Sequence, residues 1–160
     1  MDGKANANPL MVFLTCQQIE KTCSSVYREF ARLYSQDAQA RALFQQLAAE
    51  EEEHAAQFEL LYSINMVSPV TVLVELSYAG SALRAMENCL EQVKAARRLP
   101  LQEALRLSVK AEEQLQVFHA RLAAEVRNEE WHALLAELQD ADLDHAKKLI
   151  DFQRLRGLAP

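Results

Sequence analysis

Four long stretches of this chain place apolar side chains at every third or fourth residue, the spacing that gives a helix one buried face. They cover about residues 10–34, 37–64, 100–127 and 129–157. Only 3 Gly and 4 Pro interrupt 160 residues. That excludes a sandwich or barrel, which needs a turn signal every ~8–12 residues. The ends of the stretches carry helix signals of their own. Asn8-Pro9 offers a cap and a first helical residue, and Ser35 or Asp37 a cap for the second stretch. Pro100 opens the third. The fourth follows Asn128, has Glu129 and Glu130 in its first turn, carries Arg154 and Arg156 near its end, and stops at Gly157.

The connections set the topology. Short turns at Ser35-Gln36 and Arg127-Asn128 make two antiparallel helical hairpins. Residues 66–99 join them, long enough to travel the height of a bundle. This crossover opens with Ser68-Pro69 and a β-branched run from Val70 to Val74, and period alone leaves Val70–Leu76 open between helix and extended chain. Gly80 interrupts it, and a further helix is expected from about Ser81 to Arg98. The expectation is a single all-α domain over residues 1–160, a four-helix bundle with the ferritin-like arrangement of two hairpins and one long crossover.

Charge and cysteines narrow the function. A formal net charge of −6 gives no general attraction to nucleic acid or anionic lipid. No apolar run approaches the ~18 residues of a membrane span. Lys4 and the stretch Leu10–Cys16 lack a cleavage pattern after them, so the cytoplasm is the expected compartment. Cys16, Cys23 and Cys89 are odd in number, and seven helical residues separate the first two by about 10.5 Å, beyond disulfide reach. Reduced thiols are expected. The apolar run Val70–Leu76 exceeds what one bundle face needs and points to a homo-oligomer, a dimer being the simplest.

The polar members of the core stripes carry the chemistry. On the first stretch Phe13, Cys16, Glu20, Cys23, Tyr27, Phe30 and Tyr34 share a face, with Glu20 at its centre. On the second, Ala40, Phe44, Leu47, Glu51, His54, Phe58 and Leu61 do so. The third gives Leu101, Leu105, Ser108, Glu112, Leu115, His119, Leu122 and Val126. The fourth gives Trp131, Leu135, Leu138, Asp142, His145, Leu149 and Phe152. Each stripe holds a carboxylate near its middle, and Glu51 and Asp142 are each followed three residues later by a histidine on the same face.

The spacings bring these groups to one height. The midpoint of Glu20 and Glu51 falls between Ser35 and Gln36, and that of Glu112 and Asp142 falls at Arg127, beside the two turns. Residues equidistant from a hairpin turn face each other. Four carboxylates gathered in an apolar core raise one another's pKa values and cost several kcal/mol each when unpaired. No Lys or Arg falls on the stripes to neutralise them. Two divalent cations would. Oxygen and nitrogen donors without sulfur suit iron or manganese, with zinc also accepted.

This constellation resembles the ferritin-like di-iron carboxylate proteins and, among them, the rubrerythrin-type family, in which two helices give a Glu and two a Glu-x-x-His. The resemblance covers about residues 10–64 and 100–157. It implies two iron ions per chain, with Glu51 and Asp142 bridging them, Glu20 and Glu112 as terminal carboxylates, and His54 and His145 each on one ion. It also implies reduction of peroxide or oxidation of ferrous iron, with dioxygen as a further oxidant. Iron binding or storage without turnover, and a metal-free helical interaction module, are the alternatives. Two departures stand out. Asp142 replaces the family's Glu and shortens that arm by one methylene. The second carboxylate on the third helix is missing, Leu115 and Val109 standing three residues either side of Glu112. The cysteines of a rubredoxin-like domain are also lacking, so electrons are expected from a separate donor.

The neighbouring polar residues read more plainly. Glu50, Glu52 and Glu53 are expected on a solvated face, as are Asp140 and Asp144. His119 is expected to pack beside or support the ligands, with direct ligation the lesser alternative, and Tyr27 is expected to pack, with a hydrogen bond to a ligand carboxylate or a redox-active ring as its alternatives. Cys16 and Cys23 are expected as small buried apolar groups.

Overall fold

The computed structural model describes residues 8–67, 76–127 and 129–158. Among them are five helices and no strand: α1 (Pro9–Leu33), α2 (Ala38–Val67), α3 (Leu76–Ala95), α4 (Leu101–Glu125) and α5 (Glu129–Leu155). The expected all-α arrangement is present. α1 packs on α2, α4 packs on α5, and α3 lies along α1 within the crossover.

Local chemistry sets the helix ends. Asn8 caps α1, its side chain accepting from the Leu10 N–H ahead of Pro9 at the first helical position. Asp37 caps α2 by accepting from the Ala40 N–H at 3.1 Å, and its carboxylate also meets Arg156 from the far end of α5 at 2.6 Å. That contact closes the bundle where the first turn and the last helix meet. α5 ends in a Schellman turn: Gly157 takes φ +62°, Leu158 N–H reaches Gln153 O, and Gly157 N–H reaches Arg154 O. Asn128, read as the signal before α5, lies outside the described residues, as do 70–75 of the run Val70–Leu76.

The crossover helix begins earlier than the sequence suggests. Gly80 lies inside α3 instead of interrupting it, and the helix ends at Ala95, short of Arg98. One glycine costs a helix only ~1 kcal/mol relative to Ala. Here Ala79, Met86 and Val93, spaced by seven, are buried along the contact face and outweigh that cost. Leu99 precedes Pro100, which disfavours helical backbone there and separates α3 from α4.

The core divides into two apolar clusters. One gathers Phe13, Ile19, Phe58, Leu115, Leu122, Trp131 and Leu138. The other gathers Tyr27, Phe30, Phe44, Leu47, Leu105 and Leu149. In each helix of the two hairpins, the central acid of the stripe lies between residues of the first cluster and residues of the second. A buried polar layer therefore crosses the bundle between two apolar plugs.

Candidate metal centre

Each of α1, α2, α4 and α5 delivers its mid-stripe acid into this layer. Glu20, Glu51 and Asp142 are 0 % exposed and Glu112 1 %. The two histidines three residues after an acid follow them in, His54 on α2 and His145 on α5. The layer thus holds all six side chains singled out on the stripes, and His119 besides.

The contacts across helices are close. His145 Nδ1 lies 3.1 Å from Glu51 Oε1 and 3.4 Å from Glu112 Oε2. His54 Nδ1 lies 3.2 Å from the other Glu51 oxygen, Oε2, and 3.9 Å from Glu20 Oε2. Glu51 therefore turns one oxygen to each imidazole. Glu51, His54 and His145 present donor atoms mutually close enough to hold one ion. The rings of His54 and His145 stack with centroids 5.3 Å apart. The Tyr27 hydroxyl donates to Glu112 Oε1, which leaves Oε2 facing inward.

His119 is more central than packing would require. It is fully buried, with Nδ1 2.7 Å from Asp142 Oδ2 and Nε2 3.0 Å from Glu20 Oε1. Its stripe position seven residues after Glu112 was the only sign of this in the sequence. Glu50 corrects the expectation of a solvated residue. It is half-buried, with Oε2 3.0 Å from His145 Nε2 and Oε1 2.9 Å from Lys148 Nζ. Lys148 also pairs with Asp144, which is exposed, as is Asp140. Glu52 pairs with Arg28 at the surface and Glu53 is exposed. The partners that draw Glu50 inward lie on α5, so nothing within its own acidic run could have singled it out.

The electrostatics are those of a crowded anionic core. Burial pushes the Glu20 carboxyl well above the usual range, and His119 only partly offsets it. Burial, then the Glu51 charge, lifts Glu112 to about 7. Burial raises Asp142 as well. Glu51 goes the other way, because His145 and His54 outweigh its burial and hold it below the ordinary value. Burial opposes charge on His145 and His119, yet the carboxylates beside them prevail. Glu112 and Glu51 raise His145 to about 11, and Asp142 and Glu20 raise His119 well above its ordinary value. Without an ion, the gathered carboxylates thus favour protons on the imidazoles and on Glu20, Glu112 and Asp142.

The same layer fits divalent ions by two independent signs. Glu20 Oε1 and Oε2, Glu51 Oε1, Glu112 Oε2, Asp142 Oδ1, His119 Nε2 and His145 Nδ1 are all buried with no hydrogen-bond partner. Such orphaned atoms are rare in a finished core. Moreover, separations of 3.0–3.2 Å between donor atoms match adjacent ligands of an octahedral ion with bonds of about 2.1 Å.

The thiols nearby are quiet. Burial raises Cys16 and Cys23 well above the usual thiol value, with the Glu20 charge adding at Cys16 and that of Glu51 at Cys23. Kept protonated, they are poor nucleophiles.

A family model described as Rubrerythrin matches residues 16–153. No curated protein and no solved structure matches the chain.

Proposed function

The chain belongs to the rubrerythrin family, and from that premise we propose that it is a di-iron carboxylate redox protein, reducing peroxide or oxidising ferrous iron in the buried layer. The observation that carries this reading is the convergence of orphaned carboxylate oxygens and imidazole nitrogens from four helices. When bound there, a pair of iron ions supplies reversible one-electron oxidation and reduction at each ion. Manganese or zinc would fit the same donors with different chemistry.

The chain's residues have distinct parts in this reading. Glu51 would hold the ions from a central place, its two oxygens facing different imidazoles. Glu20, His54, Glu112, His145 and Asp142 would hold the ions around it. Tyr27 fixes Glu112 by donating its hydroxyl proton to Oε1. Glu50 places negative charge beside His145 Nε2, which favours the proton there and leaves the Nδ1 lone pair for an ion. The apolar plugs on either side exclude bulk water.

A small, mostly apolar cavity lies beside Tyr27. It is lined by Cys23, Tyr27, Met86, Cys89, Ser108 and Ala111, between α1, α3 and α4. Reducing equivalents come from a separate donor in this proposal. A homodimer is proposed from the run 70–76, of which only Leu76 is described, and sedimentation at micromolar concentration decides it.

The experiment has three arms. Protein purified without added metal is analysed for iron, titrated anaerobically with ferrous ion, and then given peroxide or dioxygen with a reductant. Iron near two equivalents per chain with peroxide consumed supports the redox reading. Iron bound without turnover favours storage. Failure to take up any metal favours a helical interaction module and defeats the proposal.

A further inference from the structure

Three imidazoles reach the buried layer, and the third sits where the family pattern has none. We propose that His119 is itself a metal ligand, binding through Nε2 the ion that Glu20 holds. The proposal rests on the metal-centre reading above and changes its donor set from two imidazoles to three.

The geometry of the ring carries it. His119 Nδ1 forms an aligned hydrogen bond to Asp142 Oδ2 at 2.7 Å. When an ion is held the imidazole is neutral with one N–H, and donating that to Asp142 leaves a lone pair on Nε2. That lone pair lies 3.0 Å from Glu20 Oε1, a second acceptor, and neither atom has an aligned hydrogen bond. Two acceptors this close need a positive centre between them. A proton on Nε2 does not fill that place well, since the contact with Glu20 Oε1 is close but does not meet hydrogen-bond geometry. Adjacent ligands of one ion, by contrast, stand about 3 Å apart with the ion on the ring axis and the oxygen to one side. His145 Nδ1 and Glu51 Oε1 show the same signature, 3.1 Å apart and unaligned.

The surroundings hold the ring for this purpose. Phe58 and Phe118 approach it with centroids 5.7 and 5.5 Å away. Asp142, one methylene shorter than the Glu of the family, has Oδ2 taken by His119 and only Oδ1 left over. It therefore offers a single oxygen instead of bridging with both, and the nitrogen of His119 supplies the missing donor. The ligand is a divalent first-row ion that accepts mixed nitrogen and oxygen donors.

Cobalt(II) loaded into the full chain tests this by proton NMR. The remaining N–H of each bound imidazole gives a strongly shifted, solvent-exchangeable signal. Three such signals are expected in the wild type, from His54, His119 and His145, and two in His119→Gln. His132, exposed on α5, is the one other histidine. Two signals in the wild type would overturn the ligand role of His119 while leaving the metal centre standing. Cobalt uptake with three signals retained in the variant would overturn it too. No uptake by the wild type would overturn the metal-centre reading itself, and this one with it. Should His119→Gln fail to fold, the wild-type count decides alone.

Discussion

Glu50 Oε2 lies 3.0 Å from Nε2 of His145, on the opposite side of the imidazole from the buried carboxylates. A surface-edge acid thus steadies a buried donor, and Lys148 in turn holds the acid. Outer partners of this kind are worth about 10–100-fold in metal affinity. Glu50→Ala is expected to weaken metal binding by about that much. Glu50→Gln should weaken it less, because an amide oxygen can still face Nε2. Competition against a chelator measures both, with Glu53→Ala as the neutral control. Equal affinities in all three would detach Glu50 from the site.

Within the run Glu50–Glu53, the helix phase makes a sharper distinction. Glu51→Ala should remove most of the bound metal, since it deletes the carboxylate between His54 and His145. Glu52→Ala should leave metal content unchanged, costing only the exposed Arg28 pair, worth about 0–1 kcal/mol. Glu53→Ala should likewise be neutral. Metal analysis of the three purified variants is the check, and equal loss in all of them would contradict the inward phase of Glu51.

Metal-free protein should lose stability as pH rises. Glu112 is raised from 4.5 to about 7, so the folded state binds the extra proton. Its contribution is complete below the unfolded value and fades as pH climbs to 7, roughly 3 kcal/mol over that window. His145, raised from 6.5 to about 11, extends the decline to higher pH. Glu51 is lowered and opposes this only where pH falls below its ordinary value. Loaded protein should slope the other way, because protons displace the ions as pH falls. Thermal melts between about pH 5 and 8 compare the two forms, and parallel curves would sink the idea of acids gathered at one site.

Gly80→Ala should stabilise the protein by about 0.5–1 kcal/mol. Gly80 lies in the interior of α3 with ordinary helical backbone, and among the described residues an added Cβ would meet only the Arg84 side chain, at 3.5 Å. Chemical denaturation of the variant against the wild type measures the gain. A loss would mean that the glycine is kept for a close approach by another part of the assembly.

The bundle and the six stripe residues of the buried layer were legible in the sequence for one physical reason. A helix buries a face at fixed spacing, and a hairpin sets two such faces at equal distances from its turn. Those two periodicities brought Glu20, Glu51, Glu112 and Asp142 to one height without any knowledge of packing, and placed His54 and His145 beside them. Residue type at the helix starts marked the cap at Asn8 and left Ser35 or Asp37 for the second helix, where the structure selects Asp37. Other features depend on which helix lies next to which. Gly80 reads as a break along the chain, and only the burial of Ala79, Met86 and Val93 keeps α3 continuous through it. Glu50 looks like its exposed neighbours until His145 and Lys148 arrive from α5, nearly a hundred residues away. His119 shares a stripe with Glu112, but its place between Glu20 and Asp142 is fixed by α1 and α5 closing around α4. Periodicity determines which face is buried; the contacts between buried faces determine which atoms meet there.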